Sequence, residues 1–262
     1  MPILNEERNH VGILTLSRPE VRNAWCEEFY GSLRAHLERY ADDDDIRCVI
    51  VTGDETGRAF SAGADLKNPQ THVLNSSAQF IKNLPNRRHH SFRVMDDFPK
   101  PLIAAVNGYA IGIGCIVTYS CDLIVASDRA EWRLPQVGLG ILPAQGALVR
   151  LARWVGKGQA MRLGMGFPLK ADEAYRIGLA QWVVPHDELM AKAMEVAEHI
   201  AKHPPLSSRL ACESLKQGLN MPNLADSALM DLYRFLALEG TDDKKESHQA
   251  WREGRKPQVK GQ

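Results

Sequence analysis

Two glycine-rich segments of the chain each follow a run of apolar, mostly β-branched or small residues. The first is AFSAGADLK (59–67), after CVIVT (48–52), and the second is NGYAIGIGC (107–115), after PLIAAV (101–106). Small residues directly after a buried strand let backbone N–H groups approach a ligand without a Cβ in the way. Two such turns side by side could direct two amides at one carbonyl oxygen and stabilise an oxyanion. Glycines that only permit tight strand-to-helix turns are the alternative explanation for each segment.

The second segment also partly matches the dinucleotide-binding fingerprint G-x-G-x-x-G. Gly112 and Gly114 fit its first two glycines, but Val117 occupies the third position. No acidic residue ends a following strand at the expected distance. The chain contains neither the G-x-x-x-x-G-K-[ST] pattern of phosphate-binding loops nor the G-x-S-x-G pattern of α/β-hydrolases. The sequence therefore gives no support to enzymes of those classes.

The composition is that of an ordinary globular protein with a neutral surface. The 262 residues are 44% hydrophobic, and 32 Lys and Arg balance 32 Asp and Glu. Such a chain lacks the basic surface that nucleic acids and anionic membranes attract. Its five cysteines include no C-x-x-C pair, which favours reduced thiols over disulfides or a zinc site. With no signal peptide and no bilayer-length apolar run, we expect a cytoplasmic protein without a metal, nucleic acid or membrane partner.

Short apolar runs alternate with helical periods up to about residue 188. VGILTLS (11–17) and DLIVAS (122–127) are predicted strands like the two runs above, and their continuous hydrophobicity is typical of parallel strands. The alternation indicates βαβ crossovers around a mostly parallel sheet. Residues 67–86 are polar and weakly periodic, as in a functional lid. Between VGILTLS and CVIVT, a helix is predicted from apolar residues at helical spacing: Trp25, Phe29, Leu33, Leu37 and Tyr40.

The carboxy-terminal part of the chain is predicted to be entirely helical. Thr241 is expected to cap the last helix, with Asp242 and Asp243 in its first turn. A preceding helix carries an apolar stripe that must pack on the chain's own core or on another subunit, and we favour another subunit. The stripe consists of Leu229, Leu232, Tyr233 and Leu236. We expect an α/β core at residues 1–195 and a helical oligomerisation region at 196–262.

Five segments in order make the chain similar to the crotonase superfamily, the enoyl-CoA hydratase/isomerase group. They are SRPEVRNA (17–24), AFSAGADLK (59–67), KPLIAAVNGYAIGIGC (100–115), CDLIVAS (121–127) and LPQVGLGILP (134–143). The similarity covers essentially the whole chain. It implies an α/β fold with a crotonase-like spiral of ββα units, a carboxy-terminal trimerisation region, and a homotrimer or dimer of trimers. It also implies an acyl-CoA thioester substrate, with coenzyme A as part of the substrate and no separate cofactor.

The resemblance assigns an oxyanion hole to two backbone amides. Ala64 matches the first amide and Ile113 the second, where the group usually has a glycine. The isoleucine can still donate its N–H, but its side chain should reshape the acyl pocket. The positions that match coenzyme A contacts are Arg22, Ala24, Ala62, Asp65 and Leu66.

The two glutamates with which hydratases of this group move protons have no counterpart in the chain. Ile116 stands at the first position and Gln136 at the second, and Ala144 stands where some isomerases carry a glutamate. Neither isoleucine nor glutamine exchanges a proton near neutral pH. The resemblance therefore implies an atypical acyl-CoA lyase, isomerase or hydrolase rather than an efficient two-glutamate hydratase. Gln136 would orient a water or a substrate carbonyl, unless it is a structural amide.

Few residues could replace the missing base. His89 matches the catalytic histidine of a dehalogenase branch, but that branch's aspartate position falls near Leu142, so dehalogenation is not implied. His89 and His90 as plain surface histidines are the simpler interpretation. Cys115 could be a nucleophile at a helix amino terminus, although we interpret it as packing. An oxyanion hole alone is compatible with ring opening, C–C hydrolysis or decarboxylation of a keto-acyl-CoA, or with a non-catalytic CoA-binding homologue.

Overall fold

The computed structural model describes residues 2–67, Ala78 and residues 92–262 of the chain. These residues form ten β-strands and nine α-helices. The strands are β1 (Ile3–Arg8), β2 (Val11–Leu16), β3 (Cys48–Gly53), β4 (Ala59–Ser61), β5 (Leu102–Val106), β6 (Tyr109–Ile111), β7 (Leu123–Ser127), β8 (Glu131–Arg133), β9 (Leu169–Lys170) and β10 (Trp182–Val184). The helices are α1 (Glu27–Asp42), α2 (Arg93–Asp96), α3 (Ile113–Tyr119), α4 (Ala147–Gly164), α5 (Ala171–Arg176), α6 (Leu189–Ala201), α7 (Pro205–Gly218), α8 (Leu224–Glu239) and α9 (Asp242–Glu253).

The strands form two sheets, and the chain passes repeatedly from one sheet to the other. The larger sheet has the order β1-β2-β3-β5-β7-β10, in which β1 is antiparallel to β2 and the other pairs are parallel. The smaller sheet has the order β4-β6-β8-β9, with β9 antiparallel to β8. Strands β3, β5 and β7 of the larger sheet each lead into the next strand of the smaller sheet, and α3 and α4 follow β6 and β8. The predicted spiral of ββα units is therefore confirmed.

Both faces of the larger sheet are buried, which explains the continuous hydrophobicity of its strands. Val49 and Val51 of β3 lie in the core cluster between the sheets, whereas Cys48 and Ile50 lie in a second cluster on the opposite face. Helix α6 covers that second face with its buried side chains. The predicted division at residues 195/196 falls within α6, and the division itself stays a prediction.

The predicted amphipathic helix is α1, with one difference at its start. Phe29, Leu33, Leu37 and Tyr40 are all buried, as their spacing predicts. Trp25 is buried too, but it precedes the helix and forms an isolated parallel bridge with Ala64. Trp25, which continues the helical stripe in the sequence, therefore lies in an extended segment before α1, beside the turn that contains Ala64.

The carboxy-terminal helices match the sequence pattern and leave one apolar face uncovered. The hydroxyl of Thr241 accepts a hydrogen bond from the N–H of Lys244 at 3.3 Å, so the predicted cap of α9 is confirmed. The predicted stripe on α8 is about half exposed at each of its four positions. These side chains do not pack on the chain's own core, and their contact with another subunit stays a prediction.

The described part of the chain contains no helix that is both long and apolar enough to cross a membrane. The predicted lid at residues 67–86 lies outside the described residues, apart from Lys67 and Ala78.

Helix α1 buries a line of polar groups against the sheet. Ser32 Oγ, His36 Nε2 and Tyr40 Oη are buried and have no hydrogen-bond partner in the part of the chain that the structure describes. They recur every four residues along one face of the helix. Burial lowers the pKa of His36, opposed in part by a hydrogen bond with the backbone of Ile3. The folded protein therefore disfavours the imidazolium form of this side chain relative to the unfolded chain.

The free energy of unfolding should consequently depend on pH through His36. Because its pKa is lower in the folded than in the unfolded state, the full stability is present above the unfolded pKa of about 6.5 and declines as pH falls below it. Urea unfolding at pH 7.5 and 5.0 should show a larger loss for the native chain than for His36→Leu. Equal losses in both proteins would contradict this prediction.

Candidate active site

The two glycine-rich turns lie against each other because β4 and β6 are parallel neighbours. The register pairs Ala59 with Tyr109. A Cβ built on Gly63 would lie 2.8 Å from the carbonyl oxygen of Ile111, and one built on Gly114 would lie 2.7 Å from that of Ser61. Carbon and oxygen atoms do not approach this closely, so glycine is needed at both positions. The predicted meeting of the two turns is thus present in the structure.

Each turn carries a backbone N–H that has no acceptor in the described part of the chain. Trp25 pairs with Gly63 and Asp65, at 2.7 Å and 3.0 Å, so these bonds leave the N–H of Ala64 between them unused. Ile113 is the first residue of α3, where N–H groups have no partner within the helix. The helix dipole adds partial positive charge at this end. Both amides predicted for an oxyanion hole are therefore available to a ligand.

The turn that contains Ala64 is fixed by an ion pair that sequence reasoning missed. The guanidinium of Arg18 donates to the Asp65 carboxylate at 2.9 Å and to the carbonyl of Ala24 at 2.9 Å. The carboxylate also accepts a bond from the N–H of Lys67 at 3.1 Å. Asp65 therefore supports the loop, and Arg18, which lies in SRPEVRNA, is the side chain that ties this loop to the preceding segment.

Another residue of that segment, the buried Asn23, holds the other end of the turn. Its side-chain amide donates to the carbonyls of Asp54 and Ala59, at 3.0 Å and 2.8 Å. Its own carbonyl accepts the Ser61 hydroxyl at 2.8 Å. Asn23 therefore bridges both ends of β4. The sequence does not indicate this role, because an asparagine that precedes an apolar helix is equally consistent with a simple turn.

Loss of the Arg18 cation should destabilise the protein by about 3 kcal/mol, the cost typical of breaking a mostly buried ion pair. The Asp65 side chain is only 9% exposed, so Arg18→Met leaves its charge without that partner. The double variant Arg18→Met, Asp65→Asn removes the charge as well and should recover part of the loss. Urea unfolding of the double variant and of each single variant, Arg18→Met and Asp65→Asn, measures this. A double variant as unstable as the sum of the two single ones would contradict a direct coupling.

The five residues predicted to contact coenzyme A lie on the two adjacent segments 22–25 and 62–66. The N–H of Ala62 donates to the carbonyl of Arg22 at 3.0 Å, which joins the segments. The Arg22 side chain is exposed, and Leu66 is 74% exposed. Ala24 and Asp65 are buried. The structure thus brings all five together around the candidate oxyanion hole, while their contact with coenzyme A stays a prediction.

Gln136 lies directly against the second turn. A Cβ built on Gly112 would be 2.8 Å from Nε2 of Gln136, so the carboxamide packs on the residue before Ile113. The main-chain carbonyl of Gln136 accepts bonds from the N–H groups of Leu139 and Ile141, both at 3.0 Å. Its Oε1 is buried and has no hydrogen-bond partner among the described residues. The side chain is therefore beside the candidate oxyanion hole with an acceptor unused.

The other candidate groups on α3 and nearby loops are apolar or unreactive. Ile116 is 1% exposed and belongs to the core between the sheets, and Ala144 is exposed. The Cys115 thiol is fully buried, and its Sγ lies within hydrogen-bond distance of two carbonyl oxygens, those of Ala110 at 2.9 Å and Arg133 at 3.2 Å. Burial raises the pKa of this thiol to about 12. A thiolate is therefore absent near neutral pH, which favours the packing interpretation of Cys115 over the nucleophile.

His89, the predicted replacement base, and His90 lie outside the described residues. Within the described ranges, no group of three or more His, Cys, Asp or Glu side chains could hold a metal ion. The described part of the candidate site consequently consists of two unused amides, a neutral carboxamide, apolar side chains and the Asp65 carboxylate, which is paired with Arg18. Such a site can bind and polarise a carbonyl oxygen.

Comparison with known proteins gives the family of the chain. The sequence profile of the enoyl-CoA hydratase/isomerase family matches residues 6–262. The chain is 35% identical to the 2,3-dehydroadipyl-CoA hydratase of Escherichia coli K12, over 99% of this chain and 98% of that protein. It is 33% identical to the mitochondrial enoyl-CoA hydratase of Pongo abelii, over 99% and 88% of the two chains.

Solved structures agree with this result. An enoyl-CoA hydratase from Bacillus anthracis has a TM-score of 0.91 and 32% identity, with 100% of both chains covered. The resemblance stated from five sequence segments is therefore confirmed over the whole chain. This protein belongs to the enoyl-CoA hydratase/isomerase family.

Proposed function

We propose that this protein binds acyl-CoA thioesters and stabilises a thioester enolate or oxyanion between the amides of Ala64 and Ile113. The observation that carries the proposal is the pair of unused N–H groups in two touching turns. Preorganised donors of this kind stabilise negative charge as it develops on a carbonyl oxygen. The names of the hydratase relatives, which act on CoA thioesters, support the same substrate class.

The mechanism follows from what the site can and cannot do. The thioester oxygen accepts bonds from both amides, which lowers the energy of an enolate or a tetrahedral intermediate. Hydration additionally needs groups that deliver a proton and activate water, and Ile116, Gln136 and Ala144 supply neither. We therefore propose that efficient two-carboxylate hydration is not the reaction of this protein. Coenzyme A enters as part of the substrate, and the exposed stripe of α8 supports assembly into a homo-oligomer.

A binding measurement that needs no turnover tests the oxyanion hole. Carbonyl polarisation shifts the absorption band of an aromatic cinnamoyl-CoA to longer wavelength, so titration with this thioester should give a red-shifted band. Free cinnamic acid, which lacks the CoA portion, serves as the control and should bind weakly. Absence of both binding and shift at millimolar thioester would rule the proposal out.

Turnover of crotonyl-CoA separates this proposal from ordinary hydratase activity. We expect hydration far below the roughly 10–1000 per second of efficient enzymes, because two proton-transfer groups are missing. A rate within that range would contradict the proposed mechanism.

The missing carboxylates also favour a second candidate, a CoA-binding homologue without catalysis. Cyclic 3-oxo and malonyl-type thioesters distinguish the two, since turnover of any of them excludes the binding-only alternative.

A further inference from the structure

Helix α6 ends in a pair of histidines that the candidate active site does not use. His199 lies in the last turn of the helix, His203 follows four residues later, and both side chains are exposed. Their imidazole rings are in contact, with centroids 5.1 Å apart and planes at 88°. Two histidines four residues apart on one helical face can bind the same metal ion. The pair therefore has the ligand type and the spacing of a chelating site.

The separation of the two rings agrees with coordination of one shared ion. Bonds from zinc to an imidazole nitrogen are about 2.0–2.1 Å long, so two rings on one ion have their centroids about 4.5–5.2 Å apart at angles between 90° and tetrahedral. The observed separation of 5.1 Å lies in this range. Within the described part of the chain, neither ring forms a hydrogen bond that coordination would break. Because both side chains are exposed, rotation about their torsions brings one nitrogen of each ring to the same ion without moving the backbone.

The backbone fixes the relation between the two histidines. The N–H of His203 donates to the carbonyl of Ile200 at 3.0 Å, which extends the helix by one tighter turn. Pro204 and Pro205 follow directly, and a proline restricts the residue before it as well as its own φ angle. His203 is therefore held at the junction of α6 and α7. Little backbone freedom is lost when both rings bind one ion, which favours binding.

The charges around the pair are balanced, so the imidazoles themselves have to provide the affinity. The carboxyl-terminal end of a helix attracts cations, and the Glu198 carboxylate beside His199 accepts a bond from the neutral amide of Asn9 at 2.8 Å. Against these, Arg47 donates to the carbonyl of Ala201 at 2.9 Å, and Lys202 is exposed. A site of this kind selects for metals that prefer nitrogen ligands over those that require several carboxylates.

We propose that His199 and His203 form a surface site for a divalent transition-metal ion such as zinc, completed by water. The cysteine spacing of the chain predicts no zinc site, but this pair needs no cysteine. With two protein ligands the ion is exchangeable, unlike the ion of a four-ligand structural site. Helix α6 packs on the face of the larger sheet that is opposite to the core between the sheets. The metal site is therefore separate from the candidate oxyanion hole and does not depend on the proposed function.

Isothermal titration of the full-length protein, prepared without a histidine tag, tests the site with zinc chloride. We expect His199→Gln and His203→Gln each to weaken one equivalent of zinc binding by at least about tenfold, since loss even of a group outside the first coordination sphere has that effect. His248→Gln, which changes an exposed histidine on α9, is the matched control and should bind zinc like the native protein. Magnesium chloride should not bind at this site, because magnesium prefers oxygen ligands.

Thermal unfolding provides a second measurement, because an ion that binds only the folded protein raises its melting temperature. Zinc should raise the melting temperature of the native protein and of His248→Gln more than that of His199→Gln, and EDTA should reverse the difference. Both replaced side chains are exposed, so without metal all variants should melt like the native chain. Absence of zinc binding to the native protein overturns the proposal. Unchanged binding in His199→Gln or His203→Gln, or magnesium binding as tight as that of zinc, overturns it too.

Discussion

Replacing Ile113 with proline is expected to lower the turnover of an acyl-CoA substrate by about 100- to 1000-fold, the usual cost of one oxyanion-hole donor. Proline lacks the backbone N–H that the proposed mechanism requires. Ile113 is the first residue of α3, and this is the helical position at which proline fits best. The variant therefore removes the donor while the helix and its packing remain. The red shift of bound cinnamoyl-CoA should fall with the turnover.

Ile113→Val is the matched control, because it shortens the same side chain and keeps the N–H. It should retain most of the turnover and the red shift, and differences from the native protein should be confined to the preferred acyl chain. Circular dichroism and thermal unfolding check that the proline variant is folded. A folded Ile113→Pro protein with full red shift and full turnover would show that this amide does not contact the thioester oxygen.

Four of the six strands of the larger sheet could be predicted from the sequence, whereas β1, β10 and the smaller sheet were not. Strands β2, β3, β5 and β7 are buried on both faces, so each is a continuous apolar run that stands out from its flanks. Strands β4, β6 and β8 have three residues each. Three residues are too few to display a period of two, and β4 and β6 lie in segments interpreted as turns. Their pairing becomes visible only when the larger sheet brings them side by side.

The candidate site was predictable where the backbone supplies the chemistry. Glycines and small residues after two strands indicated two turns with accessible amides, because a close approach of backbone to ligand requires those residue types. The resemblance to the crotonase superfamily then assigned the amides of Ala64 and Ile113. The side-chain contacts that hold the two turns join residues that are far apart in the sequence. Arg18 and Asp65 are 47 residues apart in the chain. Spacing alone could not show that they pair, nor that Gln136 rests on Gly112.

Gln136→Glu is expected to raise the hydration of crotonyl-CoA by about 100-fold, the lower range for adding one acid–base group. The side chain lies against Gly112, next to the candidate oxyanion hole, and is partly buried, so a carboxylate there would add a proton-transfer group beside the proposed thioester site. Hydration of crotonyl-CoA, followed as loss of enoyl absorbance, measures the gain. Gln136→Met has no acid–base group and is the control, and its hydration rate should stay at the native level.

The second missing glutamate is a harder substitution, because Ile116 is 1% exposed within the core. A glutamate there loses apolar contacts, and burial raises its pKa, so Ile116→Glu should lower the melting temperature unless the carboxyl reaches the ligand. Adding it to Gln136→Glu should therefore increase hydration further only in protein that remains folded. If Gln136→Glu binds cinnamoyl-CoA with an unchanged red shift and still gains no hydration, proton transfer at residue 136 is not what this site lacks. In that case the Gln136 carboxamide would serve a reaction that does not add water to the β-carbon.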